Sequence, residues 1–262
     1  MSLAVQQDTI YAHDRYTSFY ELELTDFLED LPFYRQHLPP PPARILELGC
    51  GTGRLGRALA DGGYRLVGID LSQAMLREAV ARQPAGESPP PAYLCMDMTR
   101  LAFRTSFDAI IIPYNTMNLL TAPGAAEQCL AEAGSLLAPG GRLLLQLFVP
   151  ARAHLALIGK KQFQFQIFDC PDGAKVIKEI LKWREGDSAL FNLRETYRLR
   201  YRPNRDNEDW QYDYQILGYD YERWRQMLSR AGFAGETAHG DYHQTPFTEG
   251  SHSTLLLAAR RQ

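Results

Sequence analysis

Glycines and carboxylates within the first hundred residues are spaced so that they can act on one ligand. Gly49, Gly51, Gly53 and Gly56 stand in Ile45-Leu46-Glu47-Leu48-Gly49-Cys50-Gly51-Thr52-Gly53-Arg54-Leu55-Gly56, an apolar run leading straight into a glycine-rich turn. Glycine lets the chain bend sharply there and lets a ligand press against main-chain atoms that a Cβ would block. Asp70 follows Gly51 by 19 residues, where its carboxylate can accept hydrogen bonds from both hydroxyls of a ribose. Asp97 closes a third apolar stretch with another acid. The set suits a nucleoside cofactor held at the ends of neighbouring strands.

A second ligand has to be weighed. Gly51-Thr52-Gly53-Arg54-Leu55-Gly56 also satisfies the GxGxxG pattern, and Asp70 lies at the spacing that suits the ribose of NAD, so an NAD-dependent oxidoreductase stays open. Against it stand Glu47, two residues before the first glycine, the second acid at Asp97, and the lack of a YxxxK pair, to which Tyr219 and Arg223 come nearest.

Other residues suggest an acceptor. Pro113-Tyr114-Asn115-Thr116-Met117-Asn118 leaves the carboxyl end of a predicted strand, where open α/β folds bind ligands, so Tyr114 and Asn115 are expected to touch the acceptor. The rings of Tyr20 and Tyr114 can face a cation. His239, Asp241 and His243 cluster after the last predicted helix, with His239 expected as a catalytic group and Asp241 and His243 as substrate contacts. Each has a plainer reading: turn formation for Tyr114 and Asn115, packing for Tyr20 and Cys50, and an exposed loop for the histidines.

The elements that must position these residues follow from patterning. Residues 1–38 are aromatic-rich, with Tyr16, Phe19, Tyr20, Leu24, Phe27, Leu28 and Leu31 at three- and four-residue spacing, and predict a helical cap. After Pro39 to Pro42, strands at 44–48, 65–69, 93–96, 107–112 and 142–148 alternate with helices at 54–61, from Ser72 to about 82, and from Pro123 to the Pro139-Gly140-Gly141 turn. That alternation predicts a parallel sheet with helices on both faces. Beyond Pro150 the texture changes to period two, and strands at 162–169, 175–184, 189–201 and 210–218 predict an inserted antiparallel sheet. A helix at 221–231 and a strand at 253–259 return the chain to the core. The expected divisions are a cap at 1–38, a cofactor-binding core at 39–150, a substrate roof at 151–218, and a completing segment at 219–262.

Composition narrows the function classes. The 262 residues carry a net charge of -3 and mix Lys and Arg with Asp and Glu, so no basic tract is present to follow a nucleic acid backbone. Cys50, Cys95, Cys129 and Cys170 lack CxxC spacing, so neither a disulfide framework nor a metal site is expected. No apolar run reaches the roughly 20 residues of a membrane span, and Asp8, His13, Asp14 and Arg15 interrupt the start; a soluble, cytoplasmic protein is expected.

Together these features resemble the class I S-adenosylmethionine-dependent methyltransferases, in particular a small-molecule group similar to the glycine and amino-sugar N-methyltransferases. Tyr20-Glu21-Leu22-Glu23-Leu24 ahead of Asp30-Leu31-Pro32-Phe33-Tyr34 is similar to that group's YDxxY and D-[VIL]-PFY lead-in. It departs at Glu21 and Leu24, so only Tyr20 carries over. Gly240-Asp241-Tyr242 with Pro246-Phe247-Thr248 resembles its C-terminal ending.

The resemblance implies an α/β fold, with a Rossmann-like seven-stranded methyltransferase sheet, an N-terminal helical cap and an inserted small antiparallel β-sheet. It implies S-adenosylmethionine as cofactor and S-adenosylhomocysteine as product. Gly49, Cys50, Gly51, Thr52 and Gly53, with Glu47, would wrap the methionine moiety; Asp70 would hold the ribose; Asp97 and Met98 would meet the adenine, with Leu71 and Met75 opposite; Pro113 would close the site, and Tyr20 would face the sulfonium. The implied partner is a small-molecule acceptor rather than nucleic acid or membrane, with N-methylation favoured over O-methylation, and the chain acting as monomer or homodimer. A non-catalytic S-adenosylmethionine-binding protein is the remaining alternative.

Overall fold

A computed structural model describes residues 14–83, 89–156, 160–170, 172–201 and 207–262. The expected turns at Pro171 and at Pro203-Asn204, most of the proline-rich 84–91 loop, and positions 1–13 lie outside the described residues.

β1 (Arg44–Leu48), β2 (Arg65–Asp70), β3 (Ala92–Cys95), β4 (Phe107–Ile112) and β5 (Leu137–Phe148) run parallel, with α3 (Arg54–Asp61), α4 (Gln73–Ala81) and α5 (Ala125–Leu136) among the crossovers. With β10 (Phe233–His239) and β11 (Thr254–Arg261) they form a seven-stranded sheet in the order β10-β11-β5-β4-β1-β2-β3. β11 is antiparallel to both of its neighbours. Apolar patterning leaves β10 unplaced, because this edge strand carries Gly235 at φ +63° and a register shift between Ala234 and Thr237. Two boundaries also differ from expectation: α5 begins at Ala125 behind left-handed Gly124 rather than at Pro123, and β5 begins at Leu137.

Side chains alternate across the sheet, so β4 serves two cores. Ile110 and Ile112 pack with Leu130 and Ala133 of α5 and with Trp224 and Met227 of α7 (Tyr221–Arg230). Ala109 and Ile111 pack with Phe33 and Tyr34 of α2 (Leu31–His37) and with Leu55 and Leu59 of α3. The Asp220 carboxylate accepts from the Arg223 amide and starts α7.

Between β5 and α7 lie a one-turn helix, α6 (Arg152–Leu155), and a four-stranded antiparallel meander, β6 (Lys161–Asp169), β7 (Lys175–Arg184), β8 (Leu190–Arg200) and β9 (Glu208–Leu217). β8 alternates buried and half-buried along most of its length, turning Phe191, Leu193, Glu195, Tyr197 and Leu199 inward. α1 (Asp14–Leu24) packs on that inward face: Tyr16 and Phe19 cluster with Tyr197, Tyr212 and Met75, and the Phe19 and Tyr197 rings stack at 4.2 Å. Fully buried Asn118 ties the two sheets together. Its amide nitrogen donates to the carbonyls of Phe148, at the end of β5, and Leu217, at the end of β9 (2.9 and 2.7 Å), while its oxygen accepts from the Phe148 amide.

Candidate active site

The loop from β1 to α3 is shaped by three left-handed glycines, Gly49 (φ +70°), Gly51 (φ +54°) and Gly53 (φ +72°). Protein groups already fill the space around them. A Cβ on Gly49 would lie 2.2 Å from the Thr116 methyl, one on Gly53 2.2 Å from the Tyr93 hydroxyl, and one on Gly51 3.2 Å from the Tyr20 hydroxyl. Glycine is thus required at 49 and 53 by backbone conformation and by neighbouring side chains together. Cys50 is explained by packing: its Cβ and Sγ occupy the room a side chain on Gly68 would need.

Asp70 ends β2 beside this loop. One carboxylate oxygen accepts from the Gly51 amide and the other from the Ser72 amide, each at 2.8 Å. Burial raises its pKa, opposed by these amides and that of Leu71. With three amides bonded, the carboxylate keeps acceptor capacity for a further donor. Asp97 makes a turn by accepting from the amide and hydroxyl of Thr99 with one oxygen. Met98 packs on the main core, whereas Leu71 is 62% exposed. Glu47 sits behind the loop, with one oxygen 2.9 Å from where a Cβ on Gly56 would stand. That oxygen has no hydrogen-bond partner among the described residues, and burial pushes the Glu47 pKa up to about 8.

Above the loop stands an aromatic group drawn from distant parts of the chain. Phe27 meets the rings of Tyr114 (6.0 Å) and Tyr242 (5.7 Å) edge on. Arg54, the first residue of α3, lies over Phe27, donates to its carbonyl at 2.6 Å, and forms a two-pronged pair with fully buried Asp30 at 2.8 and 2.6 Å. Burial alone would lower the Arg54 pKa, but Asp30 outweighs it and raises it. Burial likewise holds the phenols of Tyr20, Tyr114 and Tyr242 above their ordinary range, so all three are protonated at neutral pH. Tyr114 (φ 52°) and Asn115 (φ 61°) are consecutive non-glycine residues in the left-handed region, costing about 1–2 kcal/mol each. The strained turn is held by the Tyr114 amide donating to Gln146 and the Thr116 hydroxyl donating to the Pro113 carbonyl, at 3.1 and 2.7 Å.

The inserted sheet and α1 are joined by a buried ionic cluster. The Lys178 ammonium bridges Glu23 (2.8 Å) and Glu195 (3.0 Å), and the Tyr197 hydroxyl donates toward both acids at 2.7 and 3.1 Å. The Tyr214 hydroxyl adds a bond to Glu195 at 3.0 Å. Burial raises the Glu23 pKa against the pull of Lys178; burial would lower that of Lys178, but Glu195 and Glu23 raise it. Beyond burial, Glu23 raises the Tyr114 pKa and Lys178 opposes it. Sequence patterning did not single out Glu23, Lys178 or Glu195, because α1, β7 and β8 are far apart in the chain.

The structure sets Tyr20 and Asp70 against Gly51, Thr116 against Gly49 and Tyr114 against Phe27, and places several expected residues elsewhere. Met75 is buried beneath α1 against Tyr16 and Tyr197 instead of walling the cleft opposite Met98. His239 ends edge strand β10, four strand positions from β1 and so roughly 19 Å across the sheet. Its ring packs near Phe33 and His37, and its Nδ1 pairs with the Gln244 carbonyl at 3.0 Å. Asp241 closes a turn onto the Thr245 amide, which lowers its pKa, and His243 is exposed. The residue from this stretch that does reach the aromatic group is Tyr242, which hydrogen-bonds Gln146; its only signal was its place in Gly240-Asp241-Tyr242.

Comparisons place this geometry among known proteins. Residues 45–141 match a family described as a methyltransferase domain. The 18S rRNA (guanine-N(7))-methyltransferase of Bos taurus is 33% identical over 182 residues, covering 64% of this chain and 59% of that protein. Across the first relatives the chain spans 42–59% of their own length. Among solved structures, the S-adenosylmethionine-bound amino pentose methyltransferase CalS10 of Micromonospora echinaspora superposes with a TM-score of 0.72 at 19% identity, covering 95% of this chain and 97% of that one. The CcbJ methyltransferase of Streptomyces caelestis gives 0.76 at 19% identity, covering 98% and 99%. At these identities the likeness is one of fold, and it extends over the cap and the inserted sheet.

Proposed function

We propose that this chain, whose residues 45–141 match a methyltransferase domain, is a class I S-adenosylmethionine-dependent enzyme that transfers a methyl group to a small-molecule acceptor, with nitrogen favoured over oxygen. The observation that carries the reading is the junction of three elements: Asp70 bracing the Gly51 amide, and the Tyr20 phenol lying over the same glycine. The residues present fit the cofactor, since the loop hydroxyl of Thr52 and the amide oxygen of Asn115 are buried polar atoms without a hydrogen-bond partner among the described residues.

Bound S-adenosylmethionine supplies a methyl group on a positively charged sulfur that leaves readily, S-adenosylhomocysteine being the product. In this reading Gly49, Cys50, Gly51, Thr52 and Gly53 line the methionine end, Asp70 accepts from the ribose, and Asp97, Met98 and Leu71 surround the base. Pro113 closes the floor. Tyr20 and Tyr114 turn electron-rich faces to the sulfonium. Displacement at a methyl carbon demands alignment and exclusion of water, which the aromatic group and the roof supply. The phenols of Tyr20 and Tyr114 are protonated, so they act as donors and as ring faces rather than as bases. A neutral amine needs no base for attack.

A ribonucleic acid acceptor, as the bovine relative's name states for that protein, is disfavoured by the net charge of -3 and by the roof over the cleft. Among the described residues no helix is long and apolar enough to cross a membrane. A cytoplasmic location accords with the free thiols of all four cysteines.

Isothermal titration with S-adenosylmethionine, S-adenosylhomocysteine and NAD tests the cofactor. Binding of the two sulfur compounds, weakened about 100-fold by Asp70→Ala, is expected, with no heat from NAD. Heat from NAD alone would replace this reading with an oxidoreductase. Incubation with methyl-labelled donor and an amine panel then separates an enzyme from a protein that only binds.

A further inference from the structure

Two arginines face each other on the seven-stranded sheet with no acid between them. Arg142 of β5 and Arg260 of β11 are direct partners in the antiparallel register, on the face that α2 covers. Like charges opposite one another on a sheet repel and cost stability. Among the described residues neither guanidinium has a carboxylate partner. Arg142 donates from Nη1 to the His37 carbonyl at the end of α2, and the Arg260 side chain has no hydrogen-bond acceptor.

The pair opens on a small cavity. Its volume is about 120 Å³, and His37, Thr237 and Gly235 complete its wall with two alanines; no carboxylate lines it, and Glu236, between Gly235 and Thr237 in the chain, is turned elsewhere. The neighbouring edge strand is bulged at this point: Ala234 pairs with Arg260 and Thr237 with Ala258, so β10 carries one residue more than β11. Gly235 in that bulge has φ +63°, and a Cβ there would meet no atom within 4 Å, so the space beside the arginines is open. His37 spends Nδ1 on the Phe33 carbonyl at 2.9 Å, which leaves Nε2 as the ring nitrogen for a ligand.

We propose that this cavity is an anion site that holds one phosphate-like dianion between Arg142 and Arg260, beside the Thr237 hydroxyl. Two unpaired cations call for two negative charges, which selects a phosphate or sulfate group over a carboxylate. The cavity is well below the roughly 300–1,000 Å³ of pockets that enclose a whole small molecule, so it takes the anionic group alone. The site is separate from the cleft. Arg142 precedes Gln146, which holds the Tyr114 turn, by four strand residues or roughly 13 Å, and it binds its anion whichever reaction the cleft performs.

Titration calorimetry with sodium sulfate and sodium phosphate, at an ionic strength fixed with sodium chloride, is expected to show one site with a Kd on the order of 1 mM. Arg260→Gln and Arg142→Gln should each weaken binding about 10-fold, while Arg230→Gln, an exposed arginine at the end of α7, should leave it unchanged. Circular dichroism checks each fold. Arg142→Gln also loses its bond to α2, so Arg260→Gln, whose side chain holds no other element in place, carries the test if the first variant unfolds. Arg260→Glu sets an internal carboxylate opposite Arg142; its Tm should rise at low salt and its sulfate binding should be lost. Glycerol 3-phosphate separates the two sources of the group: binding tighter than inorganic phosphate assigns the site to the phosphate end of a small molecule, and equal or weaker binding assigns it to the free ion. Heat no greater than that of chloride overturns the proposal. So does sulfate binding that survives Arg260→Gln or Arg260→Glu.

Discussion

Below the cleft, the loop between β1 and α3 keeps its shape through main-chain geometry: three left-handed glycines, and an amide held by a carboxylate 19 residues further along the chain. Above it, the roof keeps its shape through side chains from α1, β7 and β8, where Glu23 reaches partners 155 and 174 residues away. The floor is local and allows little variation at single positions. The ionic cluster of the inserted sheet is assembled only when the whole chain has folded. A fold that holds one cofactor and accepts different acceptors needs that separation.

The largest effect should come from the joint between the two. Arg54→Met strands the buried Asp30 carboxylate and is expected to cost about 3–5 kcal/mol, lowering Tm by roughly 10 °C in a calorimetric scan. Next comes the roof. Lys178→Met leaves Glu23 and Glu195 without their cation, at a cost of about 3 kcal/mol in urea denaturation, partly recovered by adding Glu195→Gln. S-adenosylmethionine affinity should stay within about threefold in that variant; a larger loss would mean that floor and roof are one unit.

On the floor, Gly49→Ala meets both an unfavourable φ and the Thr116 methyl, for about 2 kcal/mol or more, and Thr116→Ser in the same chain should remove only the clash. Double-mutant denaturation separates the two contributions. Glu47 adds a pH test. Its folded pKa of about 8 lies above the ordinary 4.5, so between those values the folded state holds the proton and the unfolded state releases it. Stability should therefore fall with rising pH across that window, by up to about 1.4 kcal/mol per unit, and Glu47→Gln should remove this component. The smallest effect belongs to an exposed side chain: His243→Ala, beside Tyr242 but turned to solvent, should change stability and turnover by less than about 0.5 kcal/mol equivalent.

How far the sequence could be read follows the same division. The alternation of strands and helices from Arg44 to Phe148 was legible because buried parallel strands are continuous apolar runs and glycine, proline and Ser72 punctuate them. The four inserted strands were legible through period two. β10 was not, because a short edge strand with Gly235 and a bulge carries no clear period. The glycine turn and Asp70 could be picked out from spacing, whereas Tyr20 entered only through the family resemblance. Met75, expected on an apolar wall, packs beneath α1, because a helix position alone does not say which layer its side chain meets, and in the stretch after α7 that offered His239, Asp241 and His243 it is Tyr242 that packs on Phe27.

From its residues alone, the chain specifies the order of its elements, the glycine turn and the acid beside it, because these depend on neighbours along the backbone and on the period of burial. Folding in three dimensions settles that Tyr20 covers Gly51, that Arg54 pairs with Asp30, and that Lys178 sits between Glu23 and Glu195. Those contacts join segments with no shared local pattern, and only the packing of one layer on another brings them within reach.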